Sequence, residues 1–282
     1  MLRRNLHFAI SFFLIISALS LGPVHADPNA LTAESRVTVS WNTIAPDLEL
    51  GTAELGNATI LESGITLVRT SLARFRVGVV TAQRYGKTQS EVRYLAQQSG
   101  AVVGINANFF DEVGRPLGLV ISEGHLVQKP HLGGQTLSGI FTATRNSLSI
   151  ASRSDFKQGA ILNAVQAGPR LLVDGHVVEN LRDVSTLSRR AGVCIDARSR
   201  LILYCSSTGL VGNSLAQVLQ ILGDPNVNCI DALNLDGGGS AQLIVRPAAV
   251  LGNSTKDKDS AEVSITGRDG VPVMLGIFAR DF

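Results

Sequence analysis

Ser214-Leu215-Ala216-Gln217-Val218-Leu219-Gln220-Ile221-Leu222-Gly223-Asp224-Pro225 runs, after a short interval, into Ile230-Asp231-Ala232-Leu233-Asn234-Leu235-Asp236-Gly237-Gly238-Gly239-Ser240. The first part predicts a helix over 215–222. Ser214 and Gln217 have capping-box spacing, Leu215, Val218, Leu219 and Leu222 make one apolar face, and Gly223 with Asp224-Pro225 supplies the stop. The second part is an apolar strand over 230–235 that ends in three glycines. A helix feeding a strand that stops at a flexible loop is the wiring of a sheet covered on one side by helices.

The same pattern occurs upstream. Thr88 and Glu91 have capping spacing, residues 89–98 read as a helix, Gly100 ends it, and an apolar strand follows at 101–105. Elsewhere strand signals dominate, at 37–41, 65–70, 75–80, 138–142, 161–166, 170–173, 192–196, 201–205, 242–245, 263–266 and 273–278. Asp174-Gly175 and Glu123-Gly124, each between short apolar runs, predict two-residue hairpins. Residues 252–261, with Lys256, Asp257, Lys258 and Asp259, read as a solvated loop. The expected fold class is α+β, a single strand-rich domain with mixed sheets and a few covering helices.

Composition sets the outer bounds. The 282 residues are 45% apolar, with 25 Lys plus Arg against 23 Asp plus Glu, 28 Gly and 3 Cys, which excludes a disordered chain, a collagen and a disulfide scaffold. Arg3 and Arg4 precede a charge-free apolar run from 6 to 21, and Val24 and Ala26 occupy the positions of a small-residue cleavage site. Residues 1–26 therefore read as a secretory signal peptide, and the expected location is periplasmic or extracellular. Cleavage after Ala26 removes both arginines and no acid, so the remaining charge is neutral and offers no broad field for nucleic acid. No later segment is apolar and long enough to span a bilayer. Export permits a disulfide, and Cys205 with Cys229 is the favoured pair, with Cys194–Cys205 across a hairpin as its rival.

Three segments carry candidate chemistry. In the glycine loop, Gly237, Gly238 and Gly239 free successive N–H groups to form an anion-binding nest, and Asn234 and Asp236 share one face of the extended chain. Asp236 is the candidate nucleophile, base or stabiliser of a cationic sugar. The loop lacks the G-K-S/T ending of a P-loop and the spaced glycines of a dinucleotide fingerprint. In Gly104-Ile105-Asn106-Ala107-Asn108-Phe109-Phe110-Asp111, the amides of Asn106 and Asn108 suit sugar hydroxyls, and Phe109 or Phe110 offers an apolar wall. In Gln166-Ala167-Gly168-Pro169-Arg170, the Gly-Pro turn leads to Arg170, whose planar fork suits phosphate, as do Arg189 and Arg190 before the strand at 192. His125, His131 and His176 have no zinc spacing. No cofactor is required by these residues. A hard divalent cation such as calcium or magnesium stays open, because Asp236, Asn234 and nearby carbonyls are oxygen ligands.

In this order, the segment 104–111, the 166–170 turn with its hairpin, Arg189-Arg190 and the string Asn234 to Ser240 resemble the phosphodiester glycosidase family over 77–278. The resemblance implies a domain at 77–282, with 27–76 as a lead-in packed on it. It implies Asn106, Phe109, Arg170, Asn234, Asp236, Gly237, Gly238, Gly239 and Ser240 as site positions, with Asn108 and Arg190 beside them from the residue reading. The implied activity is hydrolysis of sugar 1-phosphodiesters, from a sugar phosphate or a cell-envelope glycopolymer. The departing phosphomonoester needs little acid help, and a second carboxylate would come from Asp111, Asp174 or Asp196. Carboxylate separations of ~5 Å or ~8 Å correspond to retention or inversion. Two rivals remain, a carbohydrate-binding envelope protein without turnover and a metal-dependent phosphodiesterase that cuts P–O. The residues assign no oligomeric state.

Overall fold

Alternation of apolar residues on both sides of most strands demands cover on both faces, and the computed structural model supplies it with three sheets and two long helices. It describes residues 36–56, 64–134, 136–157, 159–207, 211–251 and 261–280. The expected signal peptide and nearly all of the 252–261 loop lie outside these residues. In chain order the elements are β1 (Val37–Ala45), β2 (Leu48–Leu55), β3 (Ile65–Thr70), β4 (Phe75–Thr81), α1 (Val92–Ser99), β5 (Val103–Asn106), β6 (Val120–Ser122) and β7 (His125–Gln128). Then come β8 (Gly139–Ala143), β9 (Leu148–Ser152), β10 (Asn163–Ala167), β11 (Arg170–Val173), β12 (His176–Val177), β13 (Ala191–Asp196) and β14 (Leu201–Ser206). The last are α2 (Leu215–Gly223), β15 (Cys229–Asn234), β16 (Leu243–Val245), the single turn α3 (Ala248–Leu251), β17 (Val263–Ile265) and β18 (Val273–Ala279).

An eight-stranded sheet has the order β1-β2-β3-β14-β13-β15-β11-β12, and two five-stranded sheets have the orders β7-β6-β10-β8-β9 and β17-β16-β5-β18-β4. Strands far outweigh helices, so α+β fits only loosely. The sheets are also not mixed, since the paired strands described are antiparallel throughout. The reason lies in the crossovers. Helix α2 joins β14 to β15 and α1 joins β4 to β5, each a pair of like direction, but β13 and β18 insert between the members of each pair and pair antiparallel to both. Residues 37–70 contribute β1, β2 and β3 to the large sheet.

The faces of each strand serve different cores. Val193, Ile195, Leu201, Leu203, Leu233 and Leu235 point between the sheets with Val77, Ile105, Phe141, Val165 and Leu275. Ile202, Tyr204 and Ala232 point outward, where Leu215, Val218, Ile221 and Leu222 of α2 cover them. Each such buried side chain contributes roughly 1.5–3 kcal/mol. Helix α1 covers Val80, Ile244 and Met274 in the same way with Val92, Leu95 and Ala96.

The same alternation corrects the disulfide. Cys194 and Cys229 both face α2 and are bonded to each other, whereas Cys205 faces the inter-sheet core as a buried free thiol, pushed up to about 12 by burial. Cys205 and Cys229 are on opposite sides of the sheet.

Local signals fared unequally. Ser214 and Gln217 form both bonds of the capping box on α2. Glu123-Gly124 and Asp174-Gly175 turn hairpins with positive φ at both residues, 50° and 82° in the first, 48° and 80° in the second. The expected Thr88 cap does not form. Ser90 pairs with Val271 through two backbone bonds, which holds the chain extended until Val92, and the Val92 N–H is capped from a distance by Gln242 Oε1 at 3.0 Å. Gly100 ends α1 as expected, at φ 75°. Among the described residues no helix is long and apolar enough to cross a membrane.

Candidate functional site

Strands β15 and β5 deliver their ends to one place. The Asp236 N–H donates to Ala107 O at 3.1 Å, and Asn106 Nδ2 donates to Asp236 O at 2.7 Å. Asn106 Oδ1 in turn accepts the Gln242 N–H at 3.0 Å. Asn106 is fully buried, so its amide holds the glycine loop in place from below rather than facing solvent.

The glycines are required by close approach. A Cβ on Gly237 would stand 2.6 Å from Arg189 O, and one on Gly239 would fall inside the Asp269 carboxylate. Gly238 adopts φ +57°, and the residues Gly238–Ser240 make one 3-10 turn. Two of the three glycine N–H groups are already used, Gly237 on Asp236 Oδ1 at 2.9 Å and Gly238 on Arg189 O at 2.8 Å. The loop is therefore a close-packed shelf for the Asp236 carboxylate more than an open nest.

Burial raises the Asp236 carboxyl to about 6, against the lowering effect of the Ser240 hydroxyl and the Gly237 N–H, and nearby Asp269 pushes it up further. Asp269 is exposed and stands on the turn after Gly267, where Arg268 N–H and Asp269 N–H donate to Gly239 O at 2.8 and 3.1 Å. Gln242 Nε2 fixes the same turn by donating to Asp269 O at 2.7 Å. A carboxylate that acts on Asp236 is thus Asp269, which the sequence did not single out. Its only signal was Arg268-Asp269-Gly270, a turn ahead of the last strand.

The three carboxylates favoured from sequence are engaged elsewhere. Asp111 accepts Val113 N–H and Arg115 N–H and pairs with Arg115 Nε at 2.8 Å. Asp196 accepts Arg198 N–H and Arg200 N–H and pairs with Arg200 Nε at 2.7 Å. Asp174 stands at its hairpin tip beside Asp231.

Asn234 belongs to the wall between the loop and the Gly-Pro turn. Its N–H donates to Pro169 O at 3.0 Å, and its Nδ2 to Leu235 O at 2.7 Å and Gly168 O at 3.3 Å, across a cis Gly168-Pro169 bond. Asn108 Nδ2 donates to Gln166 O at 2.9 Å and Leu119 O at 3.2 Å. Both amide oxygens, Asn108 Oδ1 and Asn234 Oδ1, are buried and have no partner among the described residues. Buried acceptors of this kind are costly, and both amides face the wall rather than solvent, so neither is open to the sugar hydroxyls expected from the sequence. Phe109, half-buried, packs against the inter-sheet core.

The predicted arginines separate. Arg170 pairs in register with Leu233, on the opposite face of the strand from Asn234, and its Nη2 reaches Ile150 O at 3.4 Å. Arg190 donates from Nε to Asn213 O at 3.0 Å and from Nη2 to Thr186 O at 2.6 Å, bracing two loops. Arg189 Nη2 donates to Ala241 O and Thr266 O at 2.9 and 2.8 Å. Of the three, Arg189 is the one beside the loop, and with Arg268, Ser188, Gly238, Ser264 and Thr266 it lines a cleft of about 480 Å³. Among the described residues no group of three His, Cys, Asp or Glu side chains could hold a metal ion.

No curated protein matches the chain in sequence. Solved structures that share its fold include the following three. The catalytic domain of zebrafish N-acetylglucosamine-1-phosphodiester alpha-N-acetylglucosaminidase, auto-inhibited by its pro-peptide, has a TM-score of 0.58 at 22% identity, over 88% of this chain and 83% of that one. A hypothetical protein from Synechocystis gives 0.59 at 16% identity, over 86% of this chain and 64% of that one. A protein described as exported, from Burkholderia pseudomallei, gives 0.57 at 11% identity, over 93% and 98%. Residues 99–278, which include the Asn106 clamp, the Gly-Pro turn, the glycine loop and Asp269, match the family described as phosphodiester glycosidase, and the chain belongs to that family.

Proposed function

We propose that the protein is an exported hydrolase that cleaves the bond between the anomeric carbon and the phosphate oxygen of a sugar 1-phosphodiester, with cell-envelope glycopolymers as its substrate source. The observation that carries this reading is Asp236, a carboxyl raised to about 6 by burial and by Asp269, on a glycine shelf beside a cationic cleft. The phosphate lies toward Arg268 and Arg189, which line the cleft beside Gly238.

In the reaction the C1–O bond breaks and its electron pair leaves with the phosphomonoester, which is stable enough as an anion to need little protonation. The oxocarbenium-like centre is stabilised by the Asp236 and Asp269 carboxylates. A water oxygen bonds to C1 while Asp236 takes its proton, so the active form of Asp236 is ionised. The Cys194–Cys229 disulfide supports an oxidising compartment.

The test is hydrolysis of a sugar 1-phosphodiester in oxygen-18 water, with wild type and Asp236→Ala. Unlabelled phosphomonoester and loss of turnover in the variant are expected. Label in the phosphate would mean P–O cleavage, and glycan binding without any turnover would mean a binding protein. Either result replaces this reading.

A further inference from the structure

At the far end of the β17-β16-β5-β18-β4 sheet is the larger cavity of about 660 Å³, within the range of ligand sites. The Asp236 loop adjoins Ala107, which is bonded to Val273 at the start of β18, whereas this cavity is lined by Phe278, Ala279 and Arg280 at the strand's other end. A seven-residue strand separates the two by roughly 20 Å at ~3.4 Å per residue. The groove is therefore distinct from the site above.

Its floor is built for one arrangement of charge. Gly78 and Gly276 face each other in register, and a Cβ on either would stand 2.8 Å from the Phe278 ring. The two glycines let that ring lie flat on the backbone, and the Arg76 guanidinium lies over the ring at 4.3 Å from its centroid. Arg280 is fixed by its Nε bond to Phe75 O at 3.0 Å and by a second bond from Nη2 to Arg145 O, which ties the β8–β9 turn to the sheet edge. Arg145 stands exposed on that turn. Neither Arg76 nor Arg145 has an acidic partner among the described residues. The one acid in the lining, Glu123, pairs with Arg84, which lines the adjoining pocket that shares Arg76, Glu123 and Phe278. Three arginines with no acid left among the described residues to balance them, one held over an aromatic ring, form a polar concavity that suits an oxyanion with several acceptor oxygens.

We propose that this groove is a second, non-catalytic anion site that takes a phosphate group, carried on a polymer or free. The assignment does not depend on the chemistry proposed for Asp236. The test measures inorganic phosphate and polyphosphate binding to the full chain by calorimetry, in wild type, in the double variant Arg76→Gln/Arg145→Gln and in Glu123→Gln. The double variant is expected to bind polyphosphate at least ~10-fold more weakly, with a shallower dependence on salt because two cations are gone. Glu123→Gln is expected to bind about twofold more tightly or better, since it removes the one negative charge among the described lining residues. Tighter binding of polyphosphate than of inorganic phosphate in wild type identifies a polymer as the source, and equal binding identifies the free ion, both consistent with the site. Affinities that are the same in all three proteins, or no binding of either probe, would overturn the proposal. Should the double variant fail to fold, unchanged affinity in Glu123→Gln alone overturns it.

Discussion

Asp196 ends β13 and Asp236 follows β15, its neighbour in the eight-stranded sheet, and the two carboxylates lie at opposite ends of that ladder. Asp196 is the more buried, at 1% exposure, and is surrounded by donors: two backbone N–H groups and the Arg200 guanidinium, all within 2.9 Å. Asp236 is less buried and among the described residues accepts only from Gly237 N–H and Ser240, with another carboxylate near it. Burial alone therefore does not mark a reacting carboxylate. What separates them is the partner set: the first is a neutralised structural link, while the second is held where its ionisation costs free energy, as groups that must exchange a proton often are.

Substitutions can break this comparison. Asp236→Ala is expected to lower kcat/KM for a sugar 1-phosphodiester by at least ~10³-fold, about 4 kcal/mol of transition-state stabilisation, in steady-state kinetics. Asp196→Ala should do the reverse, sparing kcat in the folded enzyme while destabilising the fold by about 3 kcal/mol. It leaves Arg200 short of a partner and two turn N–H groups without an acceptor. Denaturant unfolding and kinetics on the same preparation separate the two outcomes. If both substitutions lowered stability and activity alike, the distinction drawn between these residues would fail.

A third substitution sharpens the contrast through pH. The Asp236 carboxyl titrates higher in the folded chain than in the unfolded one, so its protonated form is the one that folding favours. The resulting penalty is absent below pH ~4, grows between ~4 and ~6, and is complete above ~6. Asp236→Asn keeps the shape without the charge. It is expected to stabilise the fold by on the order of 2 kcal/mol at pH 7.5 and to change nothing near pH 4, as read by thermal unfolding at both values.

How much of this was legible in the sequence depended on the distance over which each signal acts. The Ser214–Gln217 box, the Gly100 stop and both hairpins depend on neighbours within a few residues, and all stand as read. The start of α1 did not, because Ser90 answers to Val271 and the Val92 N–H to Gln242, partners no local pattern discloses. The expectation of mixed sheets failed for the same reason: β18 inserts between β4 and β5 and pairs antiparallel to both. At the site, the strand end running from Asn234 into three glycines was readable from its unusual residue types, but Asn106 was read as a binder of sugar hydroxyls and instead clamps Asp236 O from below. Asp269 was not readable, since an aspartate in a turn is unremarkable until the fold sets it against Gly239.

The smallest effect is the most discriminating, because it treats the site as an electrostatic unit rather than a set of side chains. Two neighbours act on Asp236 in opposite directions, Asp269 raising its titration point by repulsion and the Ser240 hydroxyl lowering it by donating to the charged form. If ionised Asp236 is the working form, kcat/KM falls as pH drops through about 6, and the acid limb of the profile reports this group. Asp269→Asn removes the repulsion and should move that limb to lower pH, while Ser240→Ala removes the donor and should move it to higher pH, each by less than about one unit. Both also lower the plateau, Asp269→Asn by more, because it takes a carboxylate from the cationic transition state. A merely structural role for Asp269 or Ser240 would change the plateau and leave the limb where it was. Limbs that move together would mean that the limb does not report Asp236, and an activity that rises as pH falls through 6 would assign the proton on Asp236 the opposite duty, that of the acid.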